Sequence, residues 1–151
     1  MDALLFRTRV AVLWVAVAVA LSGSIWLYLF MPGGLEEVLA GKVEGETLDD
    51  AMGIFMATVV IIPIAMTVAT LLVRDRANRY LSLVTGLALG LIGFYTVVRE
   101  TSADGYNLHI LMITVAAVLA LLIAGLGWAA LRRPPIPPGA EEDRLHEEPA
   151  V

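Results

Sequence analysis

Long apolar stretches alternate with short charged ones along this chain. Asp, Glu, Lys and Arg are absent from residues 10–30, 51–73, 81–98 and 108–131, runs of 21, 23, 18 and 24 residues. A helix crossing the hydrocarbon core of a bilayer needs about 20 apolar residues, so each run is long enough to span. Polar positions do not recur within the runs at the 3.6-residue period of a soluble amphipathic helix. The pattern predicts an all-α, polytopic membrane protein: a bundle of four transmembrane helices within residues 1–131. The remaining residues, 132–151, are Pro-rich and then acidic, too poor in apolar side chains to pack, and are expected to form a disordered cytoplasmic tail.

Composition agrees with this reading. Hydrophobic residues make up 59% of the 151 and the mean hydropathy is +0.82, above the range of soluble domains. Arg7 and Arg9 ahead of the first run give it the look of a secretory leader. The run exceeds the usual apolar stretch of such leaders, and SIWLYLFMPGG offers no small-x-small cleavage site, so a retained first helix is expected.

The cationic residues set the expected orientation. Arg7, Arg9, Arg74, Arg76, Arg79, Arg132 and Arg133 fall on one side of the four spans and only Lys42 and Arg99 on the other, which predicts a plasma-membrane protein with both termini cytoplasmic. The net charge of -5 comes largely from the outer loop and the tail, and does not describe an acidic soluble protein. With no cysteine, the chain has no thiol-disulfide chemistry, Cys-ligated zinc or iron–sulfur cluster, and no cofactor is expected.

Small residues recur every four positions at Ala16, Ala20 and Ser24, at Ser82, Gly86 and Gly90, and at Ala116, Ala120 and Ala124. Such stripes let helix backbones approach closely in lipid and are expected to pack the bundle, with a homo-oligomer seam as the alternative. Trp14, Trp26, Tyr28, Tyr80, Tyr95, Tyr106 and Trp128 are expected to serve mostly as interfacial anchors. In the loop of residues 31–50, PGGLEEVLAGKVEG predicts a short interfacial helix with Leu35, Val38 and Leu39 on one side, Glu36 and Glu37 off it, and Gly41 as a stop. TLDD then fits a capping box, with Thr47 as the N-cap of the second span.

Two places draw attention as chemistry. Pro63, in VVIIPIAM, lies midway along the second span and frees the carbonyl of Val59; a kink is expected there, and a kink can shape a cavity. RETSADGYNLHI gathers Arg99, Glu100, Asp104 and His109 at the outer ends of the last two spans, where His109 could act as an acid-base group, ligand or pH sensor. No ionisable residue falls well inside a span: the first reads WVAVAVALSG, which makes proton-coupled carriage through that helix improbable. With only His109 and His146, on opposite sides, a bis-histidine haem is not expected.

Taken in order and spacing, PGGLEEVLAGKVEG, IPIAM and RDRANRYLSLVTG resemble a family of small prokaryotic four-helix membrane proteins whose shared domain has no known function. The resemblance covers most of residues 10–131 and implies that Pro32, Gly33, Leu35, Glu36, Pro63, Arg76 and Asn78 hold the family's recurrent positions. It departs at Ile25 and Ile62, where many members carry carboxylates. It implies architecture and no activity.

The function expected first is a non-enzymatic membrane protein in contact with the lipid bilayer, self-associating or serving as an accessory subunit of a membrane partner, without nucleic acid. The rival is a small carrier or binder of apolar molecules with a cavity at the Pro63 kink. An enzyme using His109 with Glu100 or Glu36 ranks third.

Overall fold

The computed structural model describes residues 3–43, 45–105 and 107–132; the tail with His146, and Tyr106, lie outside the described residues. The elements run α1 (Ala3–Leu29), α2 (Gly34–Leu39), β1 (Lys42–Val43), β2 (Glu46–Thr47), α3 (Asp50–Leu72), α4 (Asp75–Asp104) and α5 (Leu108–Leu131). Four of the helices, α1, α3, α4 and α5, are long and apolar enough to cross a membrane.

Helix ends and charge-free runs coincide for α5 and within one residue for α3, but α1 begins well before its run and α4 extends beyond its run at both ends. A run without charges marks the part suited to hydrocarbon, whereas backbone hydrogen bonding continues through the polar zone beyond it. The third span, expected over 81–98, is the 30-residue α4, about 45 Å long against a hydrocarbon core of about 30 Å. Arg76, Asn78 and Arg79, expected in a turn, therefore stand on the first turns of α4, and Arg99 and Glu100 on its last turns. Only Val73 and Arg74 separate α3 from α4.

The helices form an open arc in the order α3, α1, α5, α4. α1 packs against both α3 and α5, α5 against α4, and α3 and α4 touch only sparingly. The α4–α5 seam is the tightest contact. A Cβ added to Gly86 would stand 2.6 Å from the Ala120 carbonyl oxygen, and one on Gly93 would stand 2.9 Å from the Ala117 Cβ. Gly127 on α5 approaches the Arg79 carbonyl equally closely, at 2.9 Å from such a Cβ. Ser82, Gly86 and Gly90 of the small-residue stripe are all buried, as are Ala116, Ala120 and Ala124 opposite.

A polar clamp closes one end of the arc, here termed the arginine end. Arg7 on α1 donates from Nε to Asp75 Oδ1 on α4 at 2.7 Å and from Nη1 to the Leu71 carbonyl at 3.1 Å. Asn78 is fully buried, donating to the Thr70 carbonyl at 3.4 Å and accepting from the Ser82 hydroxyl, so that α3 and α4 are joined just beyond their turn. Arg79 donates to the Ala130 carbonyl at 2.9 Å, capping the end of α5, and its guanidinium stands over the Phe6 ring. Phe6 belongs to the apolar core together with Val10, Val17, Met66 and Ile123. Trp14 is fully buried in the same core, and is not the interfacial anchor its residue type suggested.

One local expectation needs correction. The N-cap of α3 is Asp49, whose Oδ1 accepts from the Met52 amide at 2.8 Å, and not Thr47. Thr47 lies instead in a two-stranded antiparallel hairpin opposite Lys42, leaving the next good capping side chain to open the helix. Pro63 lies within α3 and is buried, with Thr67 donating to its carbonyl.

The close seam yields a paired test. Gly86→Ala should destabilise the protein by about 1–3 kcal/mol, since the added methyl meets backbone that cannot move aside. Gly125→Ala on the same seam helix, where a Cβ would meet nothing within 4 Å, should be neutral or stabilising. Thermal unfolding of both variants in one detergent measures the difference; equal losses would mean the seam is not close-packed.

Candidate functional site

Because α3 rests on α1 and α4 on α5, the two outer helices diverge away from their short turn. The space between them is a cleft of about 420 Å³ whose floor is formed by α1 and α5 and whose walls are α3 and α4. That volume falls within the range of roughly 300–1,000 Å³ common to small-molecule sites. Its walls are mostly apolar: Phe55, Met56 and Val59 from α3, Leu89 and Ile92 from α4, and Val17 and Leu21 from α1. The small side chains Gly93, Ala116 and Ala117 keep the floor low on the α4–α5 side.

Polar groups converge at the end away from the clamp, the hairpin end. His109 on α5 is 8% exposed, and its Nδ1 donates to the Ser24 carbonyl of α1 at 2.7 Å. That bond fixes the tautomer at Nδ1 and turns Nε2 toward Glu100 of α4, whose Oε2 is 3.6 Å away. Both side chains are nearly buried, at 10% and 11% exposed. Arg99, exposed at the rim, also lines this end, as does Glu46 of the hairpin. Asn107 places the pair: its side chain accepts from the Ile110 amide at 3.0 Å and starts α5 directly under the last turn of α4.

The loop of residues 30–49 folds over this end as a lid. The carboxylate of Glu37 accepts from the Tyr28 hydroxyl through one oxygen and from the Gly45 amide, at 3.0 Å, through the other. One acid thus ties α2 to both α1 and the hairpin. Gly45 is left-handed, at φ +77°, which the turn between the two strands requires. Gly34 lies so close to the end of α1 that a Cβ would overlap the Tyr28 carbonyl. Val43 of the hairpin is buried and lines the cleft, and the Tyr28 ring tilts against His109 with centroids 5.5 Å apart. The sequence Glu37, Tyr28, His109, Glu100 is therefore one continuous set of contacts running from lid to cleft.

The candidate residues from the sequence divide into three sets. Glu100, His109, Arg99 and Glu37 come together at the hairpin end, the first three on the cleft and Glu37 in its lid. Arg76 and Asn78 lie at the opposite end; Asn78 joins α3 to α4 and Arg76 is exposed. Glu36 is exposed on α2, so Glu100 is the carboxylate that the fold brings to His109. Pro63 is not among the cleft residues: the cleft lies toward the hairpin end, beginning at Val59 and Val60 one helical turn away. Glu100, near the end of α4, is nearly buried beside His109 at the start of α5. Tyr28 and Ser24 were read only as an anchor and a packing residue, and nothing local in the sequence marked them as partners of Glu37 and His109.

No family model, curated protein or solved structure matches this chain.

Releasing the lid tests this geometry. Glu37→Gln weakens the bonds to Tyr28 and Gly45, and loss of one charge-assisted hydrogen bond should speed exchange of the Gly45 amide about tenfold. Hydrogen exchange should leave amides in the α4–α5 seam unchanged. Uniform acceleration would mean that Glu37 acts on global stability and not on the lid.

Proposed function

We propose that this chain is a non-enzymatic, multi-pass protein of the cytoplasmic membrane, both termini on the cytoplasmic side, that binds an amphiphile dissolved in the bilayer. The observation that carries this reading is the cleft between α3 and α4: apolar along its length, open between two helices that barely touch, and polar only at its hairpin end. Ligand sites are typically apolar clefts with a few convergent polar groups. A nearly buried acid–histidine pair at the polar end of an apolar cleft supports the same reading.

The physical sequence of events is short. A lipophilic molecule in the leaflet nearest the hairpin moves sideways between α3 and α4, lays its apolar part along Met56, Val59 and Leu89, and presents its head to His109 and Glu100. The lid keeps water from the head while leaving the sideways route open. Orientation rests on the charge count, with Arg7, Arg9, Arg74, Arg76, Arg79 and Arg132 at the arginine end against Lys42 and Arg99 at the other. This reading favours the binder over the accessory subunit, because an accessory subunit needs no buried acid-histidine pair.

Native mass spectrometry of protein released gently from its own membrane tests it. One lipophilic mass per chain is expected, and Val59→Trp, which fills the cleft from a wall position, should abolish it while the protein stays folded. A second polypeptide in fixed ratio, with no lipophilic mass, would return the accessory-subunit reading to first place.

A further inference from the structure

The apolar space does not stop at His109. Beneath the lid lies a second, smaller pocket of about 240 Å³. Ile25, Val43, Met56 and His109 line both spaces, so the cleft and the lid pocket adjoin across those four side chains. Met56 is the most readily displaced of them, an unbranched side chain with three rotatable bonds that is only half buried. The other walls include Leu29 at the end of α1 and Val38 and Leu48 of the lid. Apart from His109 and Tyr28, every residue around this pocket is apolar.

The pocket lies at the boundary between the charge-free runs and the lid. Residues 31–50 carry Glu36, Glu37, Lys42 and Glu46 and connect two such runs, which places them at the level of the lipid head groups. The lid is sided: Glu36, Lys42 and Glu46 are exposed, whereas Val43 is buried and Val38 half-buried over the pocket. It thus roofs an apolar space at a depth where the bilayer itself offers head groups and water. A ligand ending in its polar head would leave that space empty, and apolar matter is what gains by entering it.

Given the cleft reading, on which this step rests, the long apolar part of the ligand lies along Val59 and Leu89 and its polar group at the hairpin end. We infer that the ligand continues past its polar group into the lid pocket: it is a lipophile whose polar linkage, such as an ester, lies between a long apolar arm and a short one. The lid pocket is the smaller of the two spaces, so it takes the short arm. In the bilayer such an arm lies among head groups or bends back along the long one. Beneath the lid it is extended and shielded from water, and each methylene so removed is worth up to about fourfold in affinity. No covalent step is involved.

The test uses esters that differ only in the second arm. Methyl, butyl and dodecyl palmitate are each placed at the same low mole fraction in phosphatidylcholine nanodiscs holding the full chain, and occupancy is read by native mass spectrometry. Butyl palmitate should bind about tenfold better than methyl palmitate, the worth of one to two methylenes taken from water. Dodecyl palmitate, whose second arm outgrows the lid pocket, should fall back to the methyl level. Val38→Trp fills the lid pocket from a residue that does not line the cleft, and should bring butyl palmitate down to methyl palmitate while leaving methyl occupancy within about twofold.

Equal binding of the methyl and butyl esters would overturn the inference, and so would a steady rise through dodecyl, which reports lipophilicity and not a pocket of fixed size. Either result leaves the cleft reading intact as long as Val59→Trp abolishes occupancy by all three. Binding of none of them also overturns the inference, and the cleft reading is then decided by the lipophilic mass the protein carries from its own membrane. If Val38→Trp fails to fold, Leu48→Trp fills the same pocket from a more exposed position, and the ranking of the three esters on the parent decides the matter by itself.

Discussion

The close approach of α4 to α5 governs the shape of this protein. In lipid, apolar burial gives helices little reason to associate, and contact depends on how near two backbones can come. Gly86, Gly90 and Gly93 remove the side chains that would keep α4 away from the alanines of α5. α4 is thereby committed to α5, while α3 is committed to α1. Since α3 and α4 are also joined by only two residues, they share one end and separate toward the other. The cleft is the geometrical remainder of these two commitments.

Polar chemistry is divided between the ends of the arc with different results. At the arginine end, Asn78, Arg7 and Arg79 satisfy backbone carbonyls of neighbouring helices and a carboxylate, and the outcome is closure. At the hairpin end the helices stay apart, and the polar side chains face one another across a space. His109 is held from behind by a backbone carbonyl, which orients its ring without consuming the face turned to Glu100. A histidine oriented through one nitrogen has its tautomer fixed by that bond. Here it sits at the one place where an apolar cleft ends.

Much of the architecture was legible from charge-free runs, because the cost of placing a charge in hydrocarbon leaves gaps in the pattern of Asp, Glu, Lys and Arg. For α1 and α4 the same gaps understated helix length, since they record solvent and not hydrogen bonding; α4 is the clearer case, gaining both Arg76 and Glu100. Glycine and alanine spacing correctly marked helix-packing positions without naming partners. Glu100 and His109 could be singled out as ionisable residues at the ends of successive helices joined by a short turn. Their burial could not, because it depends on a lid whose anchor, Glu37, reaches Tyr28 across a sharp turn that leaves no periodic trace. Pro63 drew attention through local rarity, yet the space lies a turn beyond it, where divergence of α3 from α4 has become large enough to matter.

The arc also dictates an order of assembly. α3 and α4 leave the ribosome as neighbours, but their main contacts are with α1 and α5, elements at opposite ends of the sequence. Until α5 emerges, α4 has no surface suited to its glycines, and His109 has not yet met the Ser24 carbonyl. The first three spans therefore lack the main partner of α4, and α5 supplies both that contact and the histidine.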